Sequence, residues 1–193
     1  MNFRSHPRHT QIRSYVMWDE IQQINKQTGQ AGLYVWASLL DEATLNIQRL
    51  TVAFPERDKL KNSTEMHCTV IYSKTEPEQP ALAFPDDRRG NIRASLVKLE
   101  LWQDHKDRTL LVGLIQSETL RAYHQHFLRM GFKSDYPQYN PHITLAKDIR
   151  RDTPMQTWLE SINAQIHNAN TTGNGAGMIE VPMSGILHGS ALT

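Results

Sequence analysis

The chain has 193 residues, 39% of them hydrophobic, which is enough to bury one substantial core and does not require several domains. Its 21 basic and 20 acidic residues leave a net charge of +1, so we expect no long nucleic acid as a partner, since such binding relies on a strongly basic face. The single cysteine excludes an intrachain disulfide, and no apolar run approaches transmembrane length. We therefore expect one domain over residues 1–193, in a reducing cytoplasm and without a membrane partner.

The opening of the chain predicts an arm and then a short helix. Residues 1–16 are polar and basic, which indicates a flexible N-terminal arm. Trp18 to Thr28 carries apolar residues at helical spacing, and Gly29 is the expected end of that helix.

The next stretch predicts a strand, a helix and a second strand. Apolar alternation after Gly32 predicts a strand with two different faces. One face carries Leu33, Val35 and Ala37, and the other carries Tyr34, Trp36 and Ser38. Asp41 to Phe54 has helical periodicity, with Asp41 as the expected N-cap and Pro55 as the end. The strand that follows opens with the triplet His67-Cys68-Thr69.

The second half of the chain predicts the same order of elements. A proline-rich loop over Ser73 to Gly90 leads to a strand over Ile92 to Trp102 and, after a turn, to another strand from Thr109. Ser117 to Met130 predicts a helix that Gly131 ends. The next strand opens with the triplet His142-Ile143-Thr144. Because residues i and i+2 of a helix do not share a face, we expect His124 and His126 to be exposed helix residues rather than a joint ligand pair.

These two halves indicate an internal duplication. A single His-x-Thr triplet is nearly uninformative by itself. Here each triplet follows a strand and a helix, with 34 positions from Leu33 to His67 and 32 from Leu110 to His142. A repeat of this kind is hard to obtain by chance.

The end of the chain predicts a helix, a loop and a strand. Thr153 to Ile162 has helical character, with Thr153 as the expected N-cap and Pro154 in the first turn. Residues 168–177 are rich in Asn, Thr and Gly, which indicates a flexible loop, and residues 178–187 predict a last strand.

The paired triplets indicate proton-transfer chemistry. Alternate side chains of a strand share a face, so His67 projects with Thr69 and His142 projects with Thr144. Two imidazoles and two hydroxyls in one cleft provide a base, an acid and donors for an oxyanion. No third ligand stands at zinc spacing from either histidine, so we expect neither a metal nor another cofactor. The sequence does not say which histidine is the base.

The arrangement resembles the two-histidine phosphoesterase superfamily, which carries one His-x-[Ser/Thr] triplet per lobe. Further stretches resemble the phage anti-CBASS cyclic-nucleotide phosphodiesterases. They are Gly32-Leu33-Tyr34-Val35, Arg57-Asp58-Lys59-Leu60, Val70-Ile71-Tyr72-Ser73 and Asp135-Tyr136-Pro137-x-Tyr139-x-Pro141-His142-Ile143-Thr144-Leu145. The tail, His188 to Thr193, departs from the acidic, Trp-bearing segment associated with covering of the pocket in that family.

The resemblance implies an α+β fold with two pseudo-symmetric strand-helix-strand lobes around a central cleft. It implies His67, Thr69, His142 and Thr144 as catalytic residues, and Tyr34 and Trp102 as aromatic side chains that contact the bases of the substrate.

The function implied by the resemblance is metal-independent cleavage of 3'-5' bonds in cyclic di- and trinucleotide messengers, in the cytoplasm of the bacterial host. Besides a zinc hydrolase, for which no third ligand stands at the usual spacing, two alternatives stay open at this point. One is an RNA-end enzyme of the same superfamily that acts on 2',3'-cyclic or 2'-5' linked termini. The other is a nucleotide-binding protein that sequesters the messenger without cleaving it.

Overall fold

The computed structural model describes residues 33–74, 91–136, 138–171 and 179–190, and these residues form an α+β fold. The strands are β1 (Leu33–Leu39), β2 (His67–Ser73), β3 (Ser95–Gln103), β4 (Thr109–Gln116), β5 (His142–Lys147) and β6 (Met183–Ser190). The helices are α1 (Asp41–Leu50), α2 (Glu118–Arg129) and α3 (Thr153–Thr171), with short 3-10 turns at Arg57–Lys59 and Ser63–Glu65. The predicted arm, the helix at Trp18 to Thr28 and most of the loop after Ser73 lie outside the described residues.

The six strands form one antiparallel sheet in the order β3-β4-β5-β2-β1-β6. The units β1-α1-β2 and β4-α2-β5 are the two predicted strand-helix-strand lobes, and each adds one outer strand, β6 or β3. The prediction of an α+β fold with two similar lobes is confirmed, and the lobes share a continuous sheet. Its two central strands, β2 and β5, are those that open with the His-x-Thr triplets.

One face of the sheet carries the hydrophobic core, because alternate strand residues point to it. Leu33, Val35 and Ala37 are buried, and Tyr34, Trp36 and Ser38 are only partly buried, as predicted from the alternation. All three helices contribute to the same core, with Ile47 from α1 and Phe127 from α2 among the buried residues. The opposite face is therefore left for polar and aromatic side chains.

A β-bulge follows each His-x-Thr triplet at the same position. Val35 and Trp36 of β1 pair with Ile71 and Thr69, so Val70 is the extra residue of β2. Leu111 and Val112 of β4 pair with Ala146 and Thr144, so the extra residue of β5 comes directly after Thr144 as well. Bulges change the direction of side chains and are common beside active sites. The duplication predicted from the motifs thus extends to this backbone irregularity.

Two helix boundaries differ from the predictions. Helix α1 ends at Leu50, because the Thr51 hydroxyl donates to the Ile47 carbonyl (2.8 Å) and a turn follows before Pro55. Asp41 is the first helical residue, and the N-cap, Leu40, has no capping side chain. Helix α2 begins and ends as predicted, with the Ser117 side chain accepting from the Leu120 amide.

Helix α3 is longer than predicted, since it continues to Thr171. The prediction of a loop over residues 168–177 is therefore wrong for residues 168–171, which are helical. Its N-cap is Asp152 rather than Thr153, since Asp152 Oδ1 accepts from the Met155 amide at 3.1 Å. Asn170, one of the asparagines that indicated a loop, donates from Nδ2 to the Leu96 carbonyl of β3, the edge strand. Earlier in the helix, Asn163 Nδ2 donates to the Leu99 carbonyl of the same strand. Residues 172–177 lie outside the described residues.

Candidate active site

The register of the two central strands brings the triplets together. Cys68 of β2 lies opposite Ile143 of β5, and both side chains are fully buried in the core. Residues on either side of this pair point to the opposite face, where all four predicted catalytic side chains are partly buried. They are His67, Thr69, His142 and Thr144. Because the strands are antiparallel, each histidine lies beside the threonine of the other triplet.

Each imidazole is oriented by a backbone carbonyl two residues before it. His67 Nδ1 lies 3.1 Å from the Glu65 carbonyl, and His142 Nδ1 lies 2.8 Å from the Asn140 carbonyl. A carbonyl oxygen only accepts hydrogen bonds, so Nδ1 carries the proton in both rings. In the neutral form of each ring, Nε2 is then the basic nitrogen, which is the atom able to accept a proton.

Tyr34 reaches the first imidazole with its hydroxyl. Its Oη lies 2.6 Å from His67 Nε2 and 3.3 Å from Thr69 Oγ1. Its ring stacks on Trp36 with centroids 5.0 Å apart, which places Trp36 on the site face. Burial raises the pKa of Tyr34, so its phenol stays protonated and able to donate. The structure thus places Tyr34 in the site and adds a contact that the resemblance did not imply.

Trp102 packs on the second imidazole. The centroids of the Trp102 and His142 rings are 4.5 Å apart at an angle of 50°. The indole Nε1 donates to Glu100 Oε2 at 2.7 Å, and Lys98 pairs with the other carboxylate oxygen at 2.6 Å. These contacts hold the indole over the site, where it can serve as a platform for a nucleobase. Tyr34 and Trp102 therefore contact the two histidines of the candidate site, Tyr34 at His67 and Trp102 at His142.

Burial favours the neutral form of both histidines, and neighbouring cations add to this effect at His67. Burial lowers the pKa of His142. Burial also lowers the pKa of His67, and the charges of Lys61, His142 and Lys147 lower it further. Lys61 is held close by its backbone amide, which donates to the Leu145 carbonyl at 2.8 Å. Its own pKa is lowered by burial and by Lys147. The first triplet thus has a more positive surrounding than the second.

Tyr139 and His124 form hydrogen bonds with the backbone of β2 next to the first triplet. The sequence did not single them out as site residues. The Tyr139 hydroxyl donates to the Thr69 carbonyl at 3.1 Å. The His124 ring stacks on that of Tyr139, with centroids 4.0 Å apart, and its Nδ1 donates to the Val70 carbonyl at 2.7 Å. The prediction that His124 is exposed is wrong, because these partners bury it to 3% exposure. The signal that could have found Tyr139 is its place in the segment directly before His142.

The single cysteine of the chain points away from the site face. The Cys68 thiol lies in the core, and burial raises its pKa to about 12, so it is not a reactive nucleophile. In the described part of the chain, no group of three or more His, Cys, Asp or Glu side chains is arranged to hold a metal ion. No helix within the described ranges is long and apolar enough to cross a bilayer.

Comparison with known proteins identifies the family. The profile of the family described as "Anti-CBASS protein Acb1" matches residues 31–169. The Acb1 of Acinetobacter phage Ac42 is 42% identical over 109 residues, which cover 56% of this chain and 69% of that protein. The Acb1 of Enterobacteria phage T4 is 34% identical over 126 residues, which cover 61% of this chain and 73% of that protein.

The solved structures to which this chain is similar include that of Escherichia coli LigT in its apo form. It has a TM-score of 0.43 and 18% identity, over 64% of this chain and 76% of the LigT chain. The protein TT0787 of Thermus thermophilus has the same TM-score and identity, over 63% of this chain and 76% of the other. Because the family profile spans well over half of the chain and includes both triplets, the chain belongs to the anti-CBASS protein Acb1 family.

Proposed function

We propose that the protein is a metal-independent phosphodiesterase that cleaves 3'-5' bonds of cyclic di- and trinucleotide messengers. By destroying the messenger in the cytoplasm of the bacterial host, it would act as a phage counter-defence against CBASS immunity. The observation that carries this proposal is the placement of two imidazoles and two hydroxyls on one face of the two central strands. Membership of the anti-CBASS family supports the choice of substrate.

In the proposed reaction, a ribose 2' hydroxyl attacks the adjacent phosphorus. Nε2 of one histidine takes the proton of that hydroxyl, and the protonated Nε2 of the other gives a proton to the departing 5' oxygen. The P–O5' bond breaks as the P–O2' bond forms, which opens the ring and leaves a 2',3'-cyclic phosphate and a free 5' hydroxyl. Both imidazoles suit this exchange, because the backbone carbonyls fix the proton of each neutral ring on Nδ1 and leave Nε2 as the basic nitrogen.

The two threonines have a different task in this scheme. The Thr69 and Thr144 hydroxyls donate to the non-bridging phosphoryl oxygens, on which negative charge grows in the transition state. Each such donor typically lowers the barrier by about 3 kcal/mol. This division of roles requires no metal.

The aromatic side chains hold the nucleobases in this proposal. Trp102 offers a ring fixed by Glu100, and Tyr34 offers a ring stacked on Trp36. Stacking uses the π face that every base has, so we expect several cyclic dinucleotides and trinucleotides to be accepted.

The experiment compares substrate classes. Purified protein is incubated separately with 3'-5' cyclic dinucleotides, with a 3'-5' cyclic trinucleotide and with RNA that ends in a 2',3'-cyclic phosphate, and products are separated by chromatography. We expect both cyclic classes to be opened and the RNA to be processed far more slowly. Preferential processing of the RNA would instead support the RNA-end alternative.

A further inference from the structure

The contacts around His67 define its hydrogen-bonding state in the free protein. The Glu65 carbonyl lies against Nδ1, so the proton of the neutral ring is on Nδ1 and the lone pair is on Nε2. The Tyr34 hydroxyl, 2.6 Å from Nε2, is then the donor and His67 the acceptor. A donor at that nitrogen stabilises the neutral imidazole and opposes the imidazolium, in which Nε2 carries a proton.

We propose that the Tyr34 hydroxyl is a positioning group that keeps His67 neutral, so that His67 is the general base and His142 the general acid. This inference rests on the proposed phosphodiesterase function. It assigns Tyr34 a role beyond contact with a nucleobase, because the hydroxyl acts on the imidazole and the ring remains available for stacking. The Thr69 hydroxyl, 3.3 Å from Tyr34 Oη, gives the phenol a second partner when the nucleophile binds to Nε2.

The surroundings of His142 differ in the corresponding place. In the described part of the chain, its hydrogen-bonding partner is the Asn140 carbonyl at Nδ1, and the Trp102 ring packs on the imidazole at 4.5 Å. An indole ring attracts a cation, and Trp102 packs closer than Trp36 does on His67, where the ring centroids are 6.1 Å apart, so it favours an imidazolium more at His142 than at His67. The two histidines are therefore equivalent in backbone geometry and different in their side-chain neighbours.

Other charges near His67 act in the same direction as Tyr34. Lys61 approaches from the segment before β2, and Lys147 and His142 approach from β5. All three are cationic when protonated, so they disfavour a second positive charge on His67. When only one of the two histidines is protonated, these charges therefore favour His142 as the protonated one. This is the state in which His67 is the base and His142 is the acid.

The variant Tyr34→Phe tests the inference because it removes the hydroxyl and keeps the ring. The titration of His67 is followed by NMR in the substrate-free protein, and the pH dependence of kcat/KM is measured in parallel. Without the donor at Nε2, we expect the His67 titration and the acid limb of kcat/KM to move together to higher pH, by about half to one pH unit. The titration of His142 should stay in place.

A matched control is Tyr72→Phe. Tyr72 lies opposite Tyr34 in the sheet and its ring packs edge-on against that of Tyr34, with centroids 5.8 Å apart. The substitution Tyr72→Phe should leave the titrations of His67 and His142 unchanged. Affinity of Tyr34→Phe for a cyclic dinucleotide that lacks both 2' hydroxyls should stay within about threefold of wild type, since the stacking ring is retained.

The outcomes separate this inference from the proposed function. If the His67 titration does not move in Tyr34→Phe, or moves to lower pH, the positioning role is wrong even when cyclic dinucleotides are cleaved. If His142 rather than His67 shifts, the assignment of base and acid is wrong. If no cyclic nucleotide is cleaved, the proposed function fails, and the NMR titration still decides whether the Tyr34 hydroxyl controls His67.

Discussion

The hydroxyl of Tyr139 donates to the backbone carbonyl of Thr69 and so ties the lead-in of the second triplet to the backbone of the first. The paired register of β2 and β5 is short, with Cys68 opposite Ile143 as its pair. A side-chain hydrogen bond across this seam therefore helps to fix how the two triplets face each other.

The variant Tyr139→Phe tests that link. It keeps the ring that stacks on His124 and removes the donor, which leaves a partly buried carbonyl with one partner fewer. We expect the free energy of unfolding to fall by about 1–2 kcal/mol, measured by denaturant titration. Tyr136→Phe is the control, because Tyr136 is 62% exposed and should change stability little. Equal stability of the two variants would contradict a structural role for the bond.

The pH dependence of kcat/KM is the second prediction. The base must be neutral and the acid protonated, so the profile should be bell-shaped, with its maximum midway between the two apparent pKa values of the pair. Burial lowers the pKa of both His67 and His142. We therefore expect the maximum of kcat/KM below about pH 6.5, the unperturbed value of histidine. A flat profile between pH 5 and 8, with chemistry shown to be rate-limiting, would count against the histidine pair.

Trp102→Ala should affect binding more than bound-state chemistry. A stacking platform holds the base in the ground state and the transition state alike. Stacking on an aromatic ring contributes about 1–3 kcal/mol, so KM should rise roughly five- to a hundred-fold if binding equilibrates before chemistry. Steady-state kinetics should show that Trp102→Phe recovers much of this loss. A fall in kcat with KM unchanged would mean that the indole acts on His142 and does not bind the nucleobase.

The nucleophile is tested with a cyclic dinucleotide that lacks both 2' hydroxyls. If the neighbouring 2' hydroxyl attacks, this analogue should bind and remain intact, because no attacking group is left. Binding is measured by calorimetry and integrity by chromatography after prolonged incubation. Cleavage at the normal rate would show that water attacks directly, and the base would then activate water.

The face that the His and Thr side chains of the two triplets share could be predicted from the sequence, because it depends on a local period. His67 with Thr69, and His142 with Thr144, follow from strand alternation alone. The sequence also carries a local signal for the bulges, because each threonine is followed by two consecutive apolar residues, Val70-Ile71 and Leu145-Ala146. In the structure all four of these residues are buried. A regular strand would have placed one of each pair on the site face.

Features that depend on distant partners could not be predicted in this way. His124 is buried because Val70 and Tyr139 supply its partners, and neither is near it in sequence. The last turn of α3 looks like a loop in composition, and Asn170 in it donates to the Leu96 carbonyl of edge strand β3. The hydroxyl contact between Tyr34 and His67 likewise requires the register of β1 against β2.

The central claim is tested most directly by the fate of a 3'-5' cyclic dinucleotide incubated with wild-type protein, His67→Ala or His142→Ala in excess chelator. After denaturation, chromatography distinguishes intact ligand from opened product, and His105→Ala controls for loss of an exposed histidine. Wild type and His105→Ala should open the ring in chelator, whereas each catalytic variant should be slower by about 10² to 10⁴. Recovery of intact ligand from wild type, loss of activity in chelator, or near-normal turnover in either catalytic variant would contradict the account.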